Sequence, residues 1–322
     1  MLRKKIEMGK QRAATIGALA ISISAILWGL DGVVLTPRIL GENGSHLNTV
    51  YVVFVLHAFP FALMSIFLNK EFSKLKNFSR QDIINFILVA LAGGAMGTIF
   101  IVKALFTVGF QDLTVVALLQ KLQPVFGIAL ASLILKERMS KMYGLWAFIA
   151  IVAGYFLTFG FHAPNMNTGR NTTLAALYAL MAALAFSSST VLSKKVLNKF
   201  NFTTATFYRY FFTTIILLLY VLISGVWRQV SITPPSTWIL FGVIGLTTGS
   251  GAIFLYYYGL RHVKAMVSTI CELLFPVSVI VFDYLINKNR LDVVQWISIL
   301  VMFLAIYMLN HTRKHKPVVV KK

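Results

Sequence analysis

Six side chains in this chain are chemically out of place, because each lies inside an otherwise apolar run. Gln120, Lys121 and Gln123 interrupt the stretch VVALLQKLQPVFGIALASLILKERMS (115–140), and Glu272 interrupts MVSTICELLFPVSVIVFDYLINKNRL (266–291). Lys103, two residues before the outer end of its run, and Arg209, about six residues into its own, are the other two, and each can instead snorkel to an interface. A charge in hydrocarbon is costly, so such residues face a protein interior or water and mark solute or ion pathways. Glu272 lies about seven residues into its run, roughly 10 Å deep at 1.5 Å per residue, where a carboxylate could bind and release a proton. Lys121 requires a counter-charge or water; a structural ion pair of Glu272 with Lys121 or Arg209 is the alternative to that proton-binding role. The two glutamines can bond a solute or join helices. Asp31, near the outer end of an earlier run, shares a helix face with Trp28 by i,i+3 spacing. Of Tyr256, Tyr257 and Tyr258, which differ by about 100° each on a helix, Tyr257 is the expected lining residue.

Proline sets the local backbone at both polar interruptions. Pro124 and Pro276 lack an N–H and exclude the carbonyl four residues earlier, so each breaks its helix and frees backbone polar groups beside the polar side chains. These are the expected break or gating points.

The two stretches repeat one another. Leu122-Gln123-Pro124 and Leu274-Phe275-Pro276 stand 152 residues apart, which places Glu272 opposite Gln120. Upstream, Gly97-Thr98-Ile99-Phe100 is matched by Gly251-Ala252-Ile253-Phe254 at an offset of 154, which places Lys103 opposite Tyr257. Features recurring in the same order point to an internal repeat, and a repeated polar, proline-broken helix is a mark of transporters. Gly93, Gly94 and Gly97, with Gly245, Gly249 and Gly251, read as close-packing faces.

The elements that hold these residues are membrane spans. The chain is 58% hydrophobic and 12% charged, with mean hydropathy +0.78, whereas soluble domains are about 45–50% apolar and about 25% charged. Ten spans are expected, near 13–35, 49–68, 82–105, 113–135, 142–160, 173–193, 203–223, 237–259, 265–286 and 292–310. The run after Arg3-Lys4-Lys5 is too long for a cleaved signal. The net charge of +20 does not imply nucleic acid, because its basic residues gather in short loops. With the N-terminus inside, 22 Lys and Arg fall in inner segments, 5 in outer ones and 3 within spans. By the positive-inside rule both termini are cytoplasmic and the protein is a multi-pass protein of the plasma (bacterial inner) membrane. Five spans per half then invert the halves relative to each other. The single Cys271 excludes an internal disulfide, and no metal or cofactor motif, phosphate loop or nucleophile turn is present.

The half-repeat LLQKLQPVFGIALASLILKER with its Glu137, the following Gly144 and Gly154, and LLFPVSVIVFDYLINKNR in the second half carry a resemblance. Over nearly its whole length the chain resembles the EamA family of the drug/metabolite transporter superfamily, departing at Asn289, where an acidic residue would often match Glu137. The resemblance implies an all-α 5+5 inverted repeat around a central cavity lined by spans one to four and six to nine, with spans five and ten peripheral and available for a homodimer. It divides the chain into a cytoplasmic segment 1–12, a first repeat 13–160, an extracytoplasmic linker 161–172, a second repeat 173–310 and a basic tail 311–322. It also makes Arg209 the family's basic position in span seven, with His57 its counterpart in span two.

The reading is therefore a secondary exporter or exchanger working by alternating access, not an enzyme. Its substrate is a small polar metabolite, and the basic bias of the buried charges favours a carboxylate-bearing one such as an amino acid, coupled to protons or a counter-substrate. Substrate or coupling-ion contacts are expected at Trp28, Asp31, His57, Lys103, Gln120, Lys121, Gln123, Arg209, Tyr257 and Glu272. The alternatives are movement of a lipid or lipid-linked headgroup between leaflets, and a non-transporting receptor or enzyme. Membrane lipids are the other expected partners.

Overall fold

A computed structural model describes residues 2–40, 47–107, 116, 119–163, 172–288 and 292–311. The described residues are helical and include no β-strand. Helix α1 (Leu2–Leu30) runs on through a widened turn, Asp31–Leu35, into Thr36–Leu40. It begins well before residue 13, so the basic N-terminal segment continues the first span as helix. Then come α2 (Thr49–Phe67), α3 (Arg80–Val89, Ala90–Met96 and Gly97–Thr107), α4 (Gln123–Leu135) and α5 (Lys141–Phe159). The second half holds α6 (Thr172–Leu197), α7 (Phe202–Ile223), α8 (Pro235–Ile244, Gly245–Gly249 and Ser250–His262), α9 (Ala265–Cys271 and Leu274–Asn287) and α10 (Val293–His311). Among the described residues, eight of these helices are long and apolar enough to cross a membrane; Gln123–Leu135 and Val293–Leu309 are shorter apolar helices. Residues 113–115 and 117–118 of the expected fourth span lie outside the described residues.

Helix packing follows the sequence repeat. α1 packs on α8 and α9, and α6 packs on α3 and α4. α2 packs on α7, and α5 on α10. Exchanging each helix with its counterpart in the other half maps this set of contacts onto itself. α5 and α10 mainly cover each other, while the core gathers side chains from both halves.

The backbone irregularities repeat as well. Widened turns interrupt α3 at Ala90–Met96 and α8 at Gly245–Gly249, where Gly97 and Ser250 N–H groups donate to carbonyls five residues back. Widened turns of this kind bend helices and occur often at functional sites. Around them α3 approaches its neighbours closely. A Cβ on Gly93 would stand 2.1 Å from Ser189 Oγ of α6, and one on Gly94 would stand 2.1 Å from Thr213 Oγ1 of α7. No larger residue fits either point without displacement.

The ends of the halves are also tied together. The Glu137 carboxylate, just past α4, accepts from the Ala265 and Met266 amides at 2.9 and 3.1 Å. Those amides are orphan donors at the start of α9, so a residue of the first half caps a helix of the second. Tyr143 of α5 donates to the Met266 carbonyl from the same side. Asn289, the position matched to Glu137, lies outside the described residues. Elsewhere Glu71, buried in the α2–α3 connection, accepts from Lys74 at 2.6 Å and from Thr204 of α7 at 2.8 Å.

Two outcomes check this packing. Gly94→Ala overfills the α3–α7 contact and is expected to cost about 1–3 kcal/mol, lowering the melting midpoint in detergent. Gly242→Ala, with nothing within 4 Å of the added carbon, should leave it unchanged or slightly raised. Glu137→Ala strands two amides and should cost about 1 kcal/mol, as loss of a helix cap does; Glu137→Gln, which keeps one oxygen acceptor, should recover part of it.

Candidate functional site

Both proline-broken helices interrupt at matched places. Turns at Lys121–Leu122 and Glu272–Leu273 precede α4 and the second segment of α9. Tight bonds spanning three residues replace the lost helical ones, Leu122 N to Leu119 O and Leu273 N to Ile270 O, each 3.1 Å. The breaks lie just before Pro124 and Pro276, as proline chemistry requires.

Glu272, half-buried at its break, is the hub of a hydrogen-bond cluster drawn from four helices. Its Oε1 accepts from Tyr256 Oη of α8 at 2.7 Å and from Ser268 Oγ at 3.0 Å. Its Oε2 accepts from Gln123 Nε2 of α4 at 3.0 Å. The Tyr256 hydroxyl is also bonded to Thr190 Oγ1 of α6 at 2.9 Å. Above this pair lies Trp28 of α1, half-buried, its ring 5.4 Å from that of Tyr256. Gln123 and Glu272 come from different halves, so the hub crosses the repeat interface.

A second cluster adjoins the first through α6 and α8. Arg209 Nη1 donates to Tyr257 Oη at 3.2 Å, and its guanidinium lies over the Tyr257 ring at 5.6 Å. Tyr257 Oη is bonded to Ser193 Oγ at 2.6 Å. His57 of α2 bonds its own helix at the Val53 carbonyl, 2.8 Å away, and its ring lies 5.3 Å from Tyr210. Arg209 is only 9% exposed, so it does not snorkel to an interface. No carboxylate pairs with it among the described residues, and its Nε, like the buried Ser189 and Thr213 hydroxyls, has no hydrogen-bond partner. A buried guanidinium answered by neutral hydroxyls and an aromatic face is poised for an electron-rich or anionic group.

Several expected contacts take other forms. Neither Lys121 nor Arg209 forms an ion pair with Glu272; neutral donors meet the carboxylate instead. The Lys121 chain runs toward α5, where a Cβ on Gly154 would stand 3.9 Å from its Cδ, because the turn at 121–122 rotates it away from Gln123. Gln120 donates to the Ala179 carbonyl of α6 at 2.8 Å, joining helices. Asp31 accepts from Thr36 Oγ1 at 3.1 Å; the widened turn brings residues five apart together, and Trp28 turns to Tyr256 instead. Lys103 is exposed at the end of α3, 5.7 Å over the Tyr178 ring, in a groove of about 350 Å³ that also includes Asn48, Thr49 and Thr107. It is apart from both clusters. An apolar groove of about 300 Å³ runs between α5 and α10, lined by residues such as Phe148, Phe156 and Val301. Neither groove includes Glu272 or Arg209.

Tyr256, Thr190, Ser193 and Ser268 were not anticipated as site residues. One signal was present: Ser187-Ser188-Ser189-Thr190 is a polar run inside the apolar sixth span. α8 is enclosed on both sides, so both neighbouring tyrosines meet polar partners. Tyr256 turns to Glu272 and Tyr257 to Arg209.

Known proteins resemble this chain in sequence and fold. The model of the EamA-like transporter family matches residues 15–160 and again 173–311. The riboflavin transporter ImpX of Fusobacterium nucleatum subsp. nucleatum is 46% identical over 291 residues, covering 90% of this chain and 96% of that one. An uncharacterized transporter of Synechocystis sp. is 25% identical over 263 residues, 78% of this chain and 72% of its own. A protein of known crystal structure superposes with TM-score 0.66 at 13% identity, covering 95% of this chain and 99% of that one, which speaks to the fold alone. Two family matches, one over each half of the chain, with a 46% identical transporter along nearly the full length, place the chain in the EamA-like transporter family.

Proposed function

We propose that this chain is a secondary transporter carrying a flavin-type heterocycle across the plasma membrane by alternating access. Ten spans in two inverted sets of five, bounded as repeats 13–160 and 173–310, rock about a central site. The exchange symmetry of the helix contacts supports this geometry, and inverted repeats of this kind place their substrates at discontinuous helices near the midplane. The observation that carries the reading is the Trp28–Tyr256–Glu272–Gln123 cluster, which joins both halves at both helix breaks.

Within this reading the aromatic pair offers a face for a planar ring, and Glu272 with its neutral donors offers an edge. Glu272 is the proton-coupling group, because a carboxylate bonded by hydroxyls and an amide can take up a proton without leaving a charged partner stranded. Gln123, Tyr257, Arg209 and His57 complete the surroundings, and Lys103 acts at the approach to the site. The 46% identical relative named for riboflavin supports a flavin over the amino acid that the basic residues alone suggested. A carboxylate-bearing solute remains the second reading, favoured by one observation: the Arg209 guanidinium that no acid answers among the described residues.

The test is flux of radiolabelled riboflavin into proteoliposomes, with and without an imposed pH gradient. Saturable uptake, accelerated by the gradient and reduced at least about tenfold in Glu272→Gln, is expected. Absence of riboflavin flux in folded protein, with saturable flux of a carboxylate that Arg209→Gln abolishes, would replace the flavin with the second reading. Orientation is read separately on a Cys271→Ser background with an impermeant maleimide. Arg170→Cys should label in intact cells, and Lys4→Cys only after permeabilisation, which places both ends of the charge bias.

A further inference from the structure

The donors around Glu272 are arranged in an order that specifies a ligand edge. Gln123 Nε2 meets one carboxylate oxygen from α4, and Tyr256 Oη meets the other from α8. Along the edge the order is donor, acceptor, donor. The complement is acceptor, donor, acceptor, which is the order of a cyclic imide, O=C–N(H)–C=O.

We propose that Glu272, Gln123 and Tyr256 recognise a cyclic imide edge, such as the one on the pyrimidine ring of a flavin. The imide N–H donates to the Glu272 carboxylate. One imide carbonyl accepts from Gln123 and the other from Tyr256. Gln123 can do so without deserting Glu272, since its amide carries two N–H donors. Tyr256 has a single O–H and must swing it from the carboxylate to the ligand. Its oxygen stays anchored meanwhile by Thr190 at 2.9 Å and Ser268 at 3.1 Å, either of which can donate to it. Ser268 also lies 3.0 Å from Glu272 Oε1 and keeps that oxygen company when Tyr256 turns away. Trp28, half-exposed and 5.4 Å from the Tyr256 ring, supplies the face on which the planar ring stacks.

The charges next to this edge agree with a neutral ligand. No Lys or Arg pairs with Glu272 among the described residues, so a solute carboxylate brought here would meet a like charge with no cation beside it. An imide brings a donor instead. The arrangement also links solute to proton, because protonation places an O–H on one carboxyl oxygen and removes the charge that strengthens the bond from the imide N–H. Imide and proton therefore compete at Glu272, and exchange is the natural mode of flux.

This inference rests on the flavin reading for its tracer but can fail separately from it. Unlabelled competitors are added to riboflavin flux: riboflavin itself, lumichrome (which keeps the ring and imide but lacks the sugar chain) and N3-methylriboflavin (which lacks only the imide N–H). In the wild type, lumichrome should compete, and N3-methylriboflavin should be at least about tenfold weaker than riboflavin, since a site built for an N–H rejects the analogue without it. In Glu272→Ala, whose flux is expected to fall and whose binding is therefore read by quenching of tryptophan fluorescence, the discrimination should collapse to within about threefold. Equal competition by N3-methylriboflavin and riboflavin in the wild type, or full discrimination retained in Glu272→Ala, overturns the proposal. If that variant does not fold, the wild-type comparison still decides, and Gln123→Ala should weaken riboflavin and lumichrome together. If riboflavin is not carried, the flavin reading falls, and quenching of tryptophan fluorescence by lumichrome against its N3-methyl form, with Trp28→Phe as control, tests the edge by itself.

Discussion

A carboxylate inside a bundle of apolar helices must be met by donors, and the way Glu272 is met organises the centre of this protein. It receives hydrogen bonds from α4, α8 and its own helix, with α6 steadying the hydroxyl that serves it. Those helices belong to both halves. The hydrogen bonds that satisfy the charge therefore also set how the halves meet. Among the described residues neutral donors accomplish this without a counter-ion, which leaves the carboxylate free to exchange partners.

The helix breaks make that arrangement available. A continuous helix would direct its backbone groups along its own axis and offer the centre only side chains. The turns before Pro124 and Pro276 release main-chain groups and redirect the neighbouring residues: Gln123 faces Glu272, Lys121 runs along α5, and Gln120 reaches the Ala179 carbonyl. The widened turns in α3 and α8 act at the next level out. With their glycines they bring α3 against Ser189 and Thr213 and so enclose Arg209. Rigid close packing and broken helices alternate across the bundle.

Contacts at the helix ends differ in kind from those at the centre. Glu137 caps the start of α9 through two amide bonds, and Glu71 ties the α2–α3 connection to α7. Both are carboxylates bound to groups of distant sequence. Each holds elements of different halves together near the ends of their helices.

What the sequence determined by itself was the set of parts. Hydropathy located the apolar runs, proline located the breaks, and the offset between LLQKLQP and LLFP displayed the two halves, because each of these depends on local chemistry within one segment. It also singled out Glu272, Gln123, Arg209, Trp28 and Tyr257 as residues that need an explanation. Which of them meet was decided by tertiary structure alone. A helix rotated by one residue turns its side chains by about 100°, and both the proline turns and the widened turns introduce such rotations. Hence Glu272 found Tyr256 and Gln123 in place of Lys121, Arg209 found Tyr257 in place of an acid, and Asp31 found Thr36 five residues on. Composition counts charges, but only packing assigns their partners.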